Sequence, residues 1–469
     1  MTSTDSILKG KYPAKAHCAK VAAYLKEEAP HDGPSRIYLQ GQKTRMIEDN
    51  DEPVPFRSVP CPLSFSLTRP TCPYLSFYPR QRRHFFYLTG CALPDCHLVY
   101  HVPTSHLTLF IPPLDPSSVI WSGLPLSKTE ALEKYDIDSC LPSTEVHNYL
   151  SQKTHEQVPF EERRNTPQPL TFADKRHLPE DQFEQSFFLP WNLDTLHNAI
   201  DECRVTKDEY EVACIRRAND VSTEAHIAVL KSLKHAANEQ ELEAVFIERC
   251  IALGCKEQAY HGIFGSGVNA ATLHYQANNQ PLHGRANLLV DAGAEYECYC
   301  ADVTRTMPLG GTFYKESEEI YTIVQSMQEA CLAMLKAGVQ WEDVHIIAHE
   351  VAIEGLLKLG ILKGETKEIF EARTSVAFFP HGLGHYLGMD THDTGGHPDY
   401  EDKDKMFQYL RVRGKLPEGS VITVEPGVYF CRFIIEPYLK DEKQKGFIDE
   451  EVLGKYWNVG GVRIEGGSC

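Results

Sequence analysis

Two hydrophobic periods run along this chain, and the balance between them shifts near residue 200. Before that point, short apolar runs bounded by turn residues (RIYLQG, FFYLTG, HLVYHV and HLTLFIPP) alternate with helical patterns such as AHCAKVAAYLKEEA. The alternation predicts a mixed α/β domain over residues 1–190. Beyond it the helical period dominates. In VTKDEYEVACIRRANDVSTEAHIAVLKSL an apolar stripe runs through Val212, Ile215, Ala218 or Asn219, Val221 or Ser222, and Ala225. SEEIYTIVQSMQEACLAMLKAG and WEDVHIIAHEVAIEGLLKLG predict two further helices, each closed by a glycine. Around them lie the strand candidates LLVDAGAEYECYCADVTRTMP, VITVEPGVYF and GGVRIEGG. Helices outside and a curved antiparallel sheet inside account for this order over residues 200–469, which makes the whole an α+β chain. Two stretches fit neither period. Residues 58–80 are rich in Pro, Ser, Cys and aromatics with little charge, and read as an insertion. Residues 140–190 turn polar and Pro-containing, and read as a surface-exposed, loosely packed region near the domain boundary.

The first strand candidate carries the most informative chemistry. Folded as an antiparallel hairpin turning between Tyr296 and Glu297, it places Asp291 directly opposite Asp302 on one face. Facing residues have Cβ atoms about 4.5–5.5 Å apart, and like charges there are destabilising. The pair becomes favourable if a cation sits between the acids or if they share a proton. The plain alternative is two solvent-facing acids in a surface hairpin.

Further donors follow. FFPHGLGHYLGMDTHDTGGH holds His381, His385, His392 and His397 in a glycine-rich stretch, where backbone approaches closely and imidazoles serve as ligands or hydrogen-bond donors. No glutamate follows the first histidine, so an HExxH zinc helix is excluded. Glu425 interrupts an apolar strand, where an unpaired carboxylate is unfavourable. Glu465 lies two residues after Arg463, so both project from one strand face. Backbone amides around Glu425, or an arginine across the sheet from Glu465, would satisfy either acid alone. Two aspartates, one histidine and two glutamates together form a hard, oxygen-rich donor set suited to a pair of Mn²⁺, Co²⁺ or Zn²⁺ ions. Two ions bridged by carboxylates about 3.5–4 Å apart would activate a water between them.

Composition narrows the function class. The net charge of −18 argues against a nucleic-acid partner, which needs a basic surface. The 15 cysteines are odd in number and include no CxxC pair, which fits reduced thiols in a cytoplasmic setting. The amino terminus has no apolar signal core and no run reaches membrane-spanning length, so no membrane partner is expected.

In TLHYQANN, LLVDAGAEYECYCADVTRT, PHGLGHYLGMDTHD, TVEPGVYF and GGVRIE the chain resembles the pita-bread (creatinase/aminopeptidase) metallopeptidases, in their Xaa-Pro aminopeptidase and dipeptidase branch. KTRMIEDNDEPVPFR and RRHFFYLTG resemble, more loosely, the amino-terminal domain of the same branch. The resemblance implies two divalent ions per subunit, with Mn²⁺ expected. It implies that Asp291 chelates one ion, Asp302 and Glu465 bridge both, and His385 and Glu425 complete the second, with Glu425 also taking the proton of the attacking water. His274 and His392 match histidines at the scissile carbonyl, and His381 lines the same pocket. Arg463 matches an arginine that orients the bridging glutamate's strand and, with Arg411, stands on the substrate-binding side. The implied reaction is hydrolysis of an N-terminal Xaa-Pro bond of proline-containing peptides by a homodimer. The alternatives are a Xaa-Pro dipeptidase, a catalytically impaired pita-bread peptide-binding protein, and a creatinase-like hydrolase. Relatives continue past the RIE motif, so the last strand is expected to be truncated and Glu465 to lie at a fraying end.

Overall fold

The computed structural model describes residues 3–31, 34–44, 82–151, 170–174 and 191–468. The expected insertion at 58–80 lies outside them. Leu8–Cys203 forms one compact unit, and Arg204–Cys469 with Met1–Ile7 forms another.

The first unit is built on a six-stranded sheet. Its strands are β1 (Ser35–Gln40), β2 (His97–His101), β3 (His106–Ile111), β4 (Ser139–Pro142), β5 (Leu170–Ala173) and β6 (Trp191–Asn192), in the order β4-β3-β2-β1-β5-β6. The β1–β2 and β2–β3 pairs are antiparallel, and β4, β5 and β6 join in parallel. The predicted helix forms at Ala14–Glu28, burying His17, Cys18, Val21, Ala22 and Leu25 at helical spacing. Two expectations are corrected here. FFYLTG, grouped with the strand runs, lies in the helix Arg83–Thr89, which is buried on every side and closed by Gly90 at φ 63°. A short apolar run buried all round has no period to read, so strand and helix look alike in sequence. LTFA, inside the stretch expected to be loose and exposed, is β5, and it lies between β1 and β6 with Phe172 and Ala173 buried.

The second unit has helices packed on short strands. The first helix, Glu209–Ser232, opens with a reciprocal capping box between Asp208 and Glu211. Val212, placed on its apolar stripe, is only half-buried, while Ala213 and Cys214 are buried. The helix packs with Glu239–Ala252 over strands that follow: β7 (Glu257–Gln258), β8 (Ile263–Ser266), β9 (Asn287–Asp291), β10 (Ala294–Tyr296), β11 (Tyr299–Cys300) and β12 (Thr304–Pro308). Along β9 the side chains alternate: Leu288 and Val290 pack beneath these helices, while Leu289 joins Tyr429 on the other side. The two predicted helices form at Lys315–Met334 and Trp341–Lys358. Gly360 directly follows the cap of the second at φ 74°, whereas Gly338 lies beyond the cap of the first in the following turn. Lys315–Met334 covers β13 (Ile422–Val424), β14 (Gly427–Tyr429) and β15 (Gly461–Arg463), and Trp341–Lys358 packs against that helix in the same core as Val424, Val428 and Val462.

Two sequence expectations change in this unit. The hairpin turns at Glu297–Cys298, both in the left-handed region, so Tyr296 pairs with Tyr299 and Asp291 pairs with Thr304. Asp302 is therefore not directly opposite Asp291. The slip is two residues, and an even slip keeps every side chain on its face. A two-residue turn of this kind is normally signalled by Asn-Gly or Asp-Gly, and Glu-Cys gives no such signal. The long strands VITVEPGVYF and GGVRIEGG are each broken at the glutamate: β13 and β14 flank Glu425-Pro426, and β15 and β16 (Gly466–Ser468) flank Glu465. Proline has no N–H to continue a ladder. β16 pairs with β13, so the residue after Glu465 starts a paired strand rather than a frayed end. Among the described residues no helix is long and apolar enough to cross a membrane, and every cysteine is a free thiol.

Candidate metal centre

Asp291 ends β9, Asp302 stands in the connection before β12, His385 lies in a loop alongside β13, and Glu425 and Glu465 sit in the two strand breaks. Only Asp291 is within a strand, although the sequence placed Asp302, Glu425 and Glu465 in strand candidates as well. The loop is held by backbone pairing: Glu425 N donates to Leu383 O at 2.8 Å, Thr423 N to His385 O at 2.9 Å, and Leu387 N to Val421 O at 3.0 Å. Gly384 makes this approach possible, because a Cβ there would lie 2.0 Å from the Thr423 carbonyl oxygen.

These elements converge on one imidazole nitrogen. His385 Nε2 lies 3.3 Å from Asp302 Oδ2, 3.6 Å from Glu425 Oε1 and 4.0 Å from Glu465 Oε1. His385 Nδ1 is 3.0 Å from the Tyr386 carbonyl oxygen, which only accepts, so Nδ1 carries the proton and the Nε2 lone pair faces the acids. Asp302 is 5% and Glu465 1% exposed. Glu465 Oε2 accepts from Thr304 Oγ1 at 2.6 Å, while no donor among the described residues reaches Oε1. Burial, followed by the charge of Asp291, pushes the Asp302 carboxyl up to about 8. Glu425 and Glu465 are also held well above the usual carboxylate range, by burial first and then by neighbouring acids. Burial keeps the His385 imidazole neutral-favouring, below its ordinary value. Closely set acids, an orphaned buried oxygen and an inward lone pair are the features a cation would satisfy, so the residues fit divalent metal.

The remaining predicted residues surround this cluster. Arg463 is 4% exposed, and its guanidinium is engaged by Asp291, by Thr304 Oγ1 at 3.2 Å and by the Tyr429 hydroxyl at 3.0 Å. Its place is behind the acids. His381 Nε2 lies 2.8 Å from the same Tyr429 hydroxyl. His392 meets His385 edge-on, with ring centroids 4.4 Å apart, and is itself exposed. His274, also exposed, and Arg411 lie close enough to this group to interact electrostatically: Arg411 with His274, His385 and His392, and His274 with Asp291.

Sequence reasoning missed Tyr260. Its hydroxyl lies 2.6 Å from Asp291 Oδ1 and 2.6 Å from Asp302 Oδ1. A single tyrosine in a loop, more than thirty residues from the nearer acid, has no pattern that could have singled it out. Thr304 and Tyr429 stand in the same motifs as Asp302 and Glu425, but their partners Glu465 and Arg463 are distant in sequence, so only the fold reveals their part.

The sequence model of metallopeptidase family M24 matches residues 213–466, which span this whole cluster. The chain belongs to metallopeptidase family M24. The aminopeptidase P N-terminal domain matches residues 68–159. The chain is 59% identical to a probable Xaa-Pro aminopeptidase pepP of Talaromyces marneffei over 99% of its own length and 94% of that protein's. It is 56% identical to the protein of the same description from Botryotinia fuckeliana, over 99% and 93%. Among solved structures it is similar in fold to E. coli aminopeptidase P, with TM-score 0.73, 24% identity and 98% and 95% of the two chains covered. Pseudomonas aeruginosa aminopeptidase PepP matches with TM-score 0.72 and 24% identity over 98% and 94%. The pita-bread fold expected from the sequence is the fold these matches share.

Proposed function

We propose that this M24 chain is an Xaa-Pro aminopeptidase, which hydrolyses the bond between an N-terminal residue and a following proline and releases that residue. The observation that carries the reading is the convergence of Asp302, Glu425 and Glu465 within 4.0 Å of His385 Nε2, in a chain so similar to proteins named for that activity. Asp291, Asp302, His385, Glu425 and Glu465 would hold two divalent ions. When bound, these supply Lewis acidity to the scissile carbonyl and lower the pKa of attacking water. The oxygen-rich donor set favours Mn²⁺ among the candidates.

Glu425 is the most open of the three acids around His385, with 18% of its side chain exposed, and it is assigned the proton of the attacking water. As the C–N bond breaks, that proton passes to the proline nitrogen, and the acyl carbon leaves as a carboxylate. His392 and His274, at the open side, donate to the carbonyl oxygen as it gains charge. His381 and Tyr429 line the inner wall. Arg463 holds Asp291 in place and carries counter-charge. Proline lacks the amide N–H through which most peptidases align a substrate, so recognition rests on ring shape and the free N-terminus. Arg411, near His274, His385 and His392, is taken to face a substrate carboxylate as in dipeptidases, which keeps a dipeptidase as the competing reading.

Residues 1–190 are taken as the amino-terminal domain and 200–469 as the catalytic domain, a division supported by the break at Cys203–Arg204. A cytoplasmic homodimer completes the proposal, with the free thiols supporting the compartment. The test is hydrolysis of a Xaa-Pro dipeptide and a longer Xaa-Pro peptide, with and without Mn²⁺. Cleavage of the longer peptide is expected; cleavage of the dipeptide alone would assign a dipeptidase. Absence of bound metal after reconstitution would sink the enzyme reading. Sedimentation velocity tests the homodimer, and cell fractionation the compartment.

A further inference from the structure

A second set of nitrogen and carboxylate donors lies within the unit Leu8–Cys203 and shares no residue with the acid cluster. His84 stands in the first turn of the helix Arg83–Thr89, Asp174 directly follows β5, and His197 and Asp201 lie one turn apart on the helix Leu196–Val205. His84 Nε2 is 2.7 Å from Asp201 Oδ1, and His197 Nε2 is 3.0 Å from Asp201 Oδ2. The first is a hydrogen bond, and a carboxylate only accepts, so His84 Nε2 carries the proton, while His197 Nε2 faces the other oxygen of the same carboxylate. In the neutral His84 ring the lone pair is then on Nδ1. The two Nδ1 atoms face each other at 3.2 Å, and Asp174 Oδ2 lies 3.4 Å from that of His197 and 3.7 Å from that of His84.

Three electron-pair donors thus converge on one point. The two N–O separations are too long for hydrogen bonds. All three distances bracket the edge of a tetrahedral zinc site, about 3.3–3.4 Å for metal–ligand bonds near 2.0–2.1 Å. Asp201 fixes the His84 tautomer and faces His197 Nε2, the place outer carboxylates take behind metal-bound histidines. Asp174 is 3% and His84 7% exposed, whereas His197 is open enough (36% of its side chain) to admit an ion and a water as fourth ligand.

We propose that His84 Nδ1, His197 Nδ1 and Asp174 Oδ2 bind a zinc-type divalent cation that staples two helices to the end of β5. Two imidazoles with one carboxylate suit Zn²⁺, in contrast to the acid-rich centre. The test uses the full chain, dialysed against trace Zn²⁺ and analysed for metal per chain. His197→Ala leaves no core cavity, and Asp174→Asn is a second, nearly isosteric variant. Each is expected to bind one Zn²⁺ fewer than the parent while its peptidase centre still fills. Asp201→Asn should bind this ion about 10–100-fold more weakly. Zn²⁺ should raise the melting temperature of the parent more than that of His197→Ala. Equal Zn²⁺ content in the parent and both variants would overturn the proposal, leaving the two rings joined by a shared proton.

Discussion

Replacing Tyr260 by phenylalanine removes one oxygen and keeps the ring. That oxygen lies 2.6 Å from one carboxylate oxygen of Asp291 and 2.6 Å from one of Asp302. A phenol has a single hydrogen, so it donates to one acid and presents a lone pair to the other. Burial, and then the charges of Asp291, Asp302 and Glu465, keep this hydroxyl protonated well beyond the usual tyrosine range. It is therefore a fixed donor that sets the separation of the two aspartates. A hydrogen bond to a charged group contributes about 1.5–3 kcal/mol, and every 1.4 kcal/mol is about tenfold in affinity. Loss of an outer partner of a metal ligand weakens binding about 10–100-fold, the same range. Tyr260→Phe should therefore bind Mn²⁺ about 10–100-fold less tightly in a chelator-competition titration, with activity restored by excess metal. The melting curve of the metal-free variant checks that the fold persists. An unchanged affinity with a normal melting curve would show that the hydroxyl does not set the spacing of the aspartates.

Other consequences follow from the same geometry. Glu425→Gln should lower kcat about 10²–10⁴-fold with KM little changed, as loss of a general base does; an effect confined to KM would remove Glu425 from proton transfer. Gly384→Ala puts a methyl group 2.0 Å from the Thr423 carbonyl, so the loop carrying His385 must move. It should lose about 1–3 kcal/mol of stability in urea and also bind metal weakly, and a variant that keeps both would refute the close approach. The pH dependence of the metal-free protein follows from Asp302, whose carboxyl is raised from 3.8 to about 8. The folded state then holds a proton that the unfolded chain releases, so this stability is present below about pH 4 and is lost as pH rises toward 8. Chelated protein should melt at a lower temperature at about pH 8 than at about pH 5, and Mn²⁺ should close most of the gap; a curve flat or rising with pH would contradict it.

Much of the fold and of the candidate site is legible in the residue pattern, and the failures have physical causes. The helices Glu209–Ser232 and Lys315–Met334 announce themselves because each buries one face and leaves the other in water, and Trp341–Lys358 because its buried residues recur at helical spacing. The helix Arg83–Thr89 does not, because it is buried all round. The hairpin holding Asp291 was readable to within a two-residue slip, since alternation fixes the face but only the turn fixes the partner.

The sequence by itself determined which side chains have the chemistry: hard acids and one imidazole, placed in apolar surroundings where an uncompensated charge is unfavourable. Residue type decides what an atom can bind, and type is written in the chain. Only the tertiary structure decided which atoms meet. It brings Glu465 to Thr304 across 161 positions, sets Tyr260 between two aspartates, and gathers His84, Asp174 and His197 around one point. Such meetings depend on how strands pair and loops close between distant segments, which no local pattern of residues encodes. The repulsion between Asp291 and Asp302 was visible in the sequence, whereas the hydroxyl and guanidinium that hold them together appear only in the folded chain.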